Sequence, residues 1–143
     1  MKSFGKRNDN LEYKKRVGSY GIIKNSEDHF LVVEDDEGYY YLIGGKIEEG
    51  ETPIEALLRE SIEETGYRVK VECFLGKAEK HWVSPKYPKW SQHNVGFFYQ
   101  VKLLEKISEP IEGESMVWVS FKELESHLFH EHHLYMVQQA LGD

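Results

Sequence analysis

The sequence is poor in cysteine and has no long apolar run. Cys73 is its only cysteine, which excludes an internal disulfide and favours a reducing compartment. No stretch approaches the roughly 20 apolar residues of a membrane-spanning helix. The first ten residues are basic with no apolar segment behind them, unlike a secretory signal peptide. We therefore expect a cytoplasmic protein without a membrane partner.

An excess of positive charge is also absent, since the formal net charge is -7. DNA and RNA are bound by basic surfaces, so we expect no nucleic acid polymer as a partner. A small anionic substrate remains compatible with this charge if metal ions offset the acidic background.

What the chain does have is the size and composition of an ordinary globular domain. It has 143 residues, of which 40% are hydrophobic and 30% charged. Such a chain can bury a core. We therefore predict that residues 1–143 form a single domain.

Runs of β-branched and aromatic residues indicate several strands. They are predicted at residues 17–24, 30–34, 39–43, 69–78, 95–104 and 115–120. The turn-rich link 35–38 predicts a hairpin between two of them, with Gly44 and Gly45 ending its second arm. Residues 79–94 contain two prolines, two tryptophans and no clean period, so they are predicted to form a long loop.

The first helix has clear start and stop signals. Thr52 stands at the N-cap, Pro53 at the first helical position and Glu55 three residues after the cap, which is a capping box with proline in its preferred place. Gly66 is a natural C-terminal stop. The predicted buried stripe of this helix consists of Ile54, Leu57, Leu58, Ser61, Ile62 and Thr65.

Two shorter helices are predicted near the C-terminus. Ser120 and Glu123 form a second capping box, and Leu134 and Val137 begin the apolar stripe of a last helix. Strands, one helix, more strands and then helices indicate a mixed sheet with helices packed on it.

The first helix also concentrates negative charge. Glu60, Glu63 and Glu64 stand at i, i+3 and i+4 and point to one side. Like charges at this spacing repel, and anions are unfavourable in the C-terminal half of a helix. The carboxylates make sense if they bind hard divalent cations such as Mg²⁺, which prefers oxygen ligands. A solvated acidic face is the alternative.

A longer motif surrounds these glutamates. It reads Gly45-x5-Glu51-x7-Arg59-Glu60-Ser61-x-Glu63-Glu64-x-Gly66-Tyr67, and it resembles the Nudix box, G-x5-E-x7-R-E-U-x-E-E-x-G-U, in which U is a bulky aliphatic residue. All seven fixed letters match. Ser61 and Tyr67 depart from the aliphatic positions, and Ile43 stands where many members carry proline. The resemblance implies an α/β fold of the α+β kind, a Nudix-type α/β/α sandwich with a mixed β-sheet.

The resemblance also implies roles for individual residues. The family's metal ligands map to Glu60, Glu63, Glu64 and the backbone carbonyl of Gly44, which would bind Mg²⁺ or Mn²⁺. Arg59 would orient the carboxylates, and its spacing lets it reach Glu63 or Glu55. Glu51 would be a structural partner at the start of the helix.

The implied activity is metal-dependent hydrolysis of a phosphoanhydride bond in a nucleoside diphosphate linked to another moiety. Nucleoside triphosphates, nucleotide sugars such as ADP-ribose and dinucleoside polyphosphates all remain candidate substrates. The glutamate that acts as base stays open, and so does a homodimer, which is frequent in the family. The alternatives are a non-catalytic nucleotide-binding module that regulates a partner, and a prenyl diphosphate isomerase whose catalytic cysteine would be Cys73.

An additional acidic ligand is predicted before the last strand. Glu112 is the candidate and Glu114 its competitor, because related enzymes often place one more ligand in this region. Both residues equally fit exposed acids of a loop.

The segment 79–94 mixes aromatic and basic side chains that could stack on a base and contact phosphates. The candidate substrate residues are Trp82, Lys86, Tyr87 and Trp90. The alternative is that the two tryptophans cover the edge of the sheet.

Three further features receive structural interpretations. The histidines at 127, 130, 132 and 133 are read as a solvated helix start, with a zinc site at His130 and His133 as the alternative. Cys73 alternates with apolar residues and is predicted to be buried. The basic residues between Lys2 and Arg16 are read as a solvated arm, with guidance of an anionic substrate as the alternative.

Overall fold

The computed structural model describes residues 1–111 and 115–141. Within these ranges the strands are β1 (Lys2–Phe4), β2 (Glu12–Ile22), β3 (Phe30–Glu34), β4 (Tyr40–Lys46), β5 (Tyr67–Trp82), β6 (Trp90–Lys106) and β7 (Ser115–Val119). The helices are α1 (Pro53–Thr65), α2 (Phe121–His127) and α3 (Glu131–Leu141). None of these helices has the length and apolar character needed to cross a membrane.

The strands form one mixed sheet in the order β1-β5-β6-β2-β4-β3-β7. β2 is central, because it pairs in parallel with β6 and antiparallel with β4. β3 and β4 form the predicted antiparallel hairpin. β5 and β6 pair antiparallel over most of their length and are called the β5–β6 hairpin below.

Helices cover both faces of this sheet. Leu31 of β3 belongs to an apolar cluster with Leu57 of α1, whereas the adjacent Val32 packs with Leu124 of α2 and Val137 of α3. Successive side chains of a strand point to opposite faces, so α1 lies on one face and the other two helices on the opposite face. The predicted α/β/α sandwich with a mixed sheet is confirmed.

Helix α1 begins and ends as predicted, but its buried stripe differs. Thr52 and Glu55 form the reciprocal capping box, and Gly66 adopts the left-handed conformation after the last turn. Ile54 and Leu58, however, are 42% and 37% exposed. The buried residues of α1 are Ala56, Leu57, Ser61, Glu64 and Thr65. The helix is therefore rotated so that one of its glutamates faces the sheet.

The long loop predicted at residues 79–94 is wrong. The pairing of β5 with β6 continues to Trp82 opposite Gln92, which leaves only residues 83–89 as the connection. Polar and aromatic side chains occupy both faces of this part of the hairpin, so the hydrophobic alternation that normally reveals a strand is missing. Gly44 and Gly45 likewise do not end their strand, since β4 runs on to Lys46.

Three smaller predictions are also wrong. Cys73 is exposed, because the register of β5 shifts between Val71 and Cys73 and a bulge changes the face that a residue points to. The basic side chains from Lys2 to Arg16 are exposed as predicted, but their segment is not a free arm, since β1 pairs with β5 and β2 begins at Glu12. His132 and His133 are 1% and 2% exposed, because α3 packs them against the sheet.

Candidate active site

The glutamates of α1 lie against the glycine pair of β4. Glu64 is 7% exposed, and its Oε1 accepts the Gly44 N–H at 2.8 Å. This hydrogen bond compensates part of the cost of burying a carboxylate. A Cβ at position 45 would lie 2.8 Å from the carboxyl carbon of Glu60, so glycine at this position makes room for that carboxylate.

Arg59 holds the box together. Its Nε and Nη2 donate to the two carboxylate oxygens of Glu51 at 2.7 and 3.0 Å. Its Nη1 lies 3.1 Å from Glu60 Oε1 and 3.3 Å from both oxygens of Glu63, so of its two predicted partners on the helix it reaches Glu63. The hydrogen bond with Glu51 raises the pKa of Arg59 and lowers the pKa of Glu51.

The donor set at this site suits a hard divalent cation. Glu60, Glu63 and Glu64, with the carbonyl of Gly44, offer only oxygen atoms, which Mg²⁺ and Mn²⁺ prefer. Arg59 contacts three carboxylates of the box, those of Glu51, Glu60 and Glu63. Its single positive charge offsets only part of the negative charge of these carboxylates, and a metal ion would offset the rest. The two other candidate ligands, Glu112 and Glu114, lie outside the residues that the structure describes.

A cavity of about 510 Å³ opens beside these glutamates, which is within the usual range for small-molecule sites. Glu60, Glu64 and the glycine pair form one part of its wall, called the α1 end below. The rest of its wall consists of Arg16, Tyr20, Val33, Asp35, Tyr41, Leu42, Trp82, Ser84, Lys86, Tyr87, Gln92, Asn94, His130 and His133.

Three of the four candidate substrate residues line this cavity, namely Trp82, Lys86 and Tyr87. Trp90 does not. Its ring stacks on Tyr87 with centroids 5.0 Å apart, so it contacts a residue of the wall without lining the cavity itself. Cys73 is also outside the lining, which removes the feature on which the isomerase alternative depends.

A second part of the wall, called the α3 end below, is contributed by β5, β6 and the residues around the start of α3, and it contains polar atoms without partners. Trp82 Nε1, Asn94 Oδ1, His130 Nδ1 and both ring nitrogens of His133 are buried and make no hydrogen bond. Such atoms are costly unless something pairs with them. All four side chains line the same cavity, so side-chain rotation would bring these shielded atoms to a ligand with its own donors and acceptors.

The imidazoles in this wall are neutral at physiological pH. Burial and the nearby Lys80 ammonium lower the pKa of His130 to about 3. Burial, followed by the two neighbouring histidines, holds the pKa of His133 well below its usual range. A neutral imidazole has one donor and one acceptor nitrogen, so each ring can pair with either kind of group on a ligand.

Tyr20 connects the two ends of the cavity. Its ring centroid lies 4.3 Å from that of His133. Burial raises the pKa of its hydroxyl, Arg16 opposes the rise, and the charges of Glu64 and Glu60 add to it. The α1 end, with its glutamates, and the α3 end, with its histidines, are therefore adjacent parts of one site.

Sequence reasoning identified the acidic end but missed Asn94, His130 and His133 as cavity residues. Asn94 lay in the segment predicted to be a loop, and the two histidines were read as solvated. The zinc alternative at His130 and His133 gains no support. Within the described residues, the three side chains whose metal-ligating atoms lie within 4.8 Å of one another are Glu79, His81 and His93. This group contains neither His130 nor His133.

Comparisons with known proteins agree with this geometry. A family model described as the NUDIX domain matches residues 14–140. A protein of Bacillus subtilis (strain 168) named "Putative 8-oxo-dGTP diphosphatase" is 28% identical over 104 residues, which are 72% of this chain and 65% of that protein. The matched part is thus just under two thirds of the relative's length.

Solved structures share the fold at lower identity. A NUDIX hydrolase from Nitrosomonas europaea has a TM-score of 0.72 and 19% identity, covering 90% of this chain and 89% of that one. An ADP-ribose pyrophosphatase from Streptococcus suis 89-1591 has a TM-score of 0.65 and 17% identity, covering 90% and 92%. With the family model matching nearly the whole length and all seven fixed box residues present, this chain belongs to the NUDIX domain family.

Proposed function

We propose that this protein is a metal-dependent hydrolase that cleaves a phosphoanhydride bond in a nucleoside diphosphate derivative. The observation that carries the proposal is that one cavity has the box carboxylates Glu60 and Glu64 at one end and unpartnered polar groups at the other. The carboxylates suit a metal that binds the diphosphate. The other end suits a nucleobase, which is flat and has both donors and acceptors.

The acidic end would carry out the chemistry. Glu60, Glu63, Glu64 and the Gly44 carbonyl would hold Mg²⁺ or Mn²⁺, which supplies positive charge to the phosphate oxygens and activates water. One of the three carboxylates accepts the proton of the attacking water, a step typically worth about 10²–10⁴-fold in rate. Arg59 acts as a positioning residue, because it fixes Glu60 and Glu63 through Nη1.

Two cations of the cavity wall would help to bind the phosphates. Arg16 and Lys86 both line the cavity. A guanidinium can contact phosphate oxygens through two parallel hydrogen bonds, whereas an ammonium acts as a point charge. These two side chains offset the negative field of α1, which would otherwise repel an anionic substrate.

The other end would select the substrate. Trp82 Nε1 offers a donor and Asn94 Oδ1 an acceptor, and the neutral imidazoles of His130 and His133 can pair with either. A purine nucleoside triphosphate is the first substrate to test, because the Bacillus subtilis relative is named for 8-oxo-dGTP. ADP-ribose is the second, because the Streptococcus suis structure is named for it.

The test is hydrolysis of a panel of nucleoside triphosphates, nucleotide sugars and dinucleoside polyphosphates with Mg²⁺ or Mn²⁺. Glu64→Gln should lose turnover, because an amide cannot accept the proton or bind the metal as strongly. It keeps the acceptor oxygen for the Gly44 N–H, so the fold should persist. Glu125→Gln is the matched control, since Glu125 is an exposed residue of α2 and should leave turnover unchanged.

Full activity of Glu64→Gln would overturn the assignment of the site. Binding of a nucleotide without turnover of any compound by the metal-loaded wild type would overturn the hydrolase proposal. That second result would support a non-catalytic nucleotide-binding module instead.

A further inference from the structure

A second cluster of metal-ligating side chains lies on the β5–β6 hairpin, outside the cavity lining. Glu79 and His81 are two residues apart on β5 and therefore share a face. His93 stands directly opposite His81 on β6. One ligand atom from each residue lies within 4.8 Å of the other two, and Glu79 Oε1 is 2.6 Å from His93 Nε2.

Neighbouring side chains support this cluster from outside. The Tyr13 hydroxyl is hydrogen-bonded to His93 Nδ1, and the Ser3 side chain is hydrogen-bonded to the Glu79 carboxylate. Metal-ligating histidines usually have their second nitrogen bonded to an oxygen, which orients the ring. His81 Nδ1 is buried and has no hydrogen-bond partner, so this nitrogen is not used in the hydrogen-bond network.

We propose that Glu79, His81 and His93 form a second metal site, which binds Zn²⁺ or a similar transition metal rather than Mg²⁺. Two imidazole nitrogens and one carboxylate are a common set of three protein ligands for zinc. Mg²⁺ instead prefers oxygen donors, which are found on α1. The protein would thus hold two classes of metal at two separate places.

Zinc binding at this cluster requires side-chain rotation but no change of the backbone register. Ligand atoms around a tetrahedral zinc ion lie about 3.3–3.5 Å apart, given bonds of about 2.0–2.1 Å. The contact between Glu79 and His93 must open slightly. The rings of His81 and His93 are stacked with centroids 4.1 Å apart and planes at 13°, so one ring must tilt toward the other.

The location gives this site a role in shaping the cavity. Side chains alternate along a strand, so Trp82 of β5 and Asn94 of β6 point to the face opposite His81 and His93, and both line the cavity. Residues 83–89, which join the two strands, contribute Ser84, Lys86 and Tyr87 to the same wall. A metal bound by both strands would cross-link the hairpin at the base of this connection and fix the wall.

The experiment measures Zn²⁺ binding to the full chain by calorimetry, in excess Mg²⁺, which is expected to occupy the α1 carboxylates. Co²⁺ absorption serves as a second probe of an N,N,O ligand set. We expect one equivalent of Zn²⁺ to bind and to raise the thermal unfolding midpoint, because a ligand that binds only the folded state stabilises it. His81→Asn should weaken Zn²⁺ binding at least about tenfold and abolish the shift of the midpoint.

Substitution of His81 tests metal binding without disturbing the structural contacts of its neighbours. Its replacement leaves the contacts of Tyr13 with His93 and of His93 with Glu79 in place, so the variant should fold. His127→Asn is the matched control, because His127 is an exposed histidine of α2, and it should bind Zn²⁺ as the wild type does.

The proposal is overturned if the wild type binds no Zn²⁺ in excess Mg²⁺, or if His81→Asn binds it with unchanged affinity. It is also overturned if Glu60→Gln, and not His81→Asn, removes the Zn²⁺. None of these readouts requires turnover, so the outcome does not depend on whether the proposed hydrolase function holds.

Discussion

The two ends of the cavity differ in whether their polar groups have hydrogen-bond partners. At the α1 end the charged groups of the box have hydrogen-bond partners. Arg59 is bonded to Glu51, Glu60 and Glu63, and Glu64 accepts the Gly44 N–H. At the α3 end, Asn94 Oδ1 and the His133 ring nitrogens have no hydrogen-bond partner. A preorganised end suits chemistry, whose transition state needs fixed charges. An unsatisfied end suits recognition, because only the right ligand removes the cost of its buried polar atoms.

The largest expected effect is at the preorganised end. Glu60→Gln should lower kcat by about 10²–10⁴-fold with little change in KM for the substrate, because the loss falls on metal binding and proton transfer. Steady-state kinetics at saturating Mg²⁺ measures both constants. An equal rise in KM without a fall in kcat would place Glu60 in substrate binding and break the contrast between the ends.

Substitutions of the two glycines should have different effects, with Gly44→Ala lowering stability and Gly45→Ala lowering activity. In Gly44→Ala the Cβ would lie 2.1 Å from the Ser19 carbonyl oxygen at a φ of 140°, so we expect a loss of about 3 kcal/mol or more in the free energy of unfolding. In Gly45→Ala the three atoms nearest to the Cβ all belong to the carboxylate end of Glu60. That variant should stay folded but lose about 10²-fold in kcat, since displacing a reacting group by about 1 Å costs that much.

Urea unfolding and kcat, measured on both glycine variants, check this division. The assigned roles of the two glycines are contradicted if Gly45→Ala keeps full kcat, or if Gly44→Ala is as stable as the wild type.

Changes at the unsatisfied end should act on KM. Trp82→Phe removes the indole N–H and keeps an aromatic ring, and a hydrogen bond lost to a buried partner costs about 1–3 kcal/mol. We therefore expect kcat/KM to fall about tenfold to a hundredfold through KM. Trp118→Phe is the control, because Trp118 is 39% exposed on β7 and is not in the cavity lining. A fall in kcat alone for Trp82→Phe would contradict the division of roles.

The same end should make the protein sensitive to acid. His130, His132 and His133 have pKa values below their usual 6.5, first of all because of burial. The unfolded chain therefore binds more protons than the folded one as the pH falls below 6.5, and stability must fall with it. Each such histidine contributes a slope of up to about 1.4 kcal/mol per pH unit.

Unfolding free energies between pH 4.5 and 6.5 measure that slope before most carboxylates titrate. His132→Leu should reduce the slope by about one histidine's share without affecting KM, because His132 is buried but does not line the cavity. A slope that is unchanged in this variant would show that His132 binds protons equally in the folded and unfolded states.

The contrast between the two ends also decides what could be predicted from the sequence. The hairpin of β3 and β4, both capping boxes and the ends of α1 are local, so a few neighbouring residues specify them. The carboxylates and Arg59 could be found because the box fixes their spacing along one helix and the loop before it. Their mutual contacts follow from helical periodicity.

The recognition end could not be predicted, because its residues meet only through tertiary packing. Asn94 reaches the cavity through strand pairing across residues 79–94, where polar side chains on both faces hide the alternation. His133 looks solvated in sequence and is buried because α3 packs on the sheet. Ile54 and Leu58 were wrongly predicted to be buried. The periodicity of α1 does not reveal that the helix is rotated so that Glu64 faces Gly44.

The most direct test of the proposed function compares Glu64→Gln with Trp82→Phe on the best substrate of the panel, with kcat and KM determined separately. The account predicts that Glu64→Gln loses about 10²–10⁴-fold in kcat and that Trp82→Phe raises KM while keeping kcat. Undiminished kcat in Glu64→Gln would contradict the assignment of catalysis to the acidic helix.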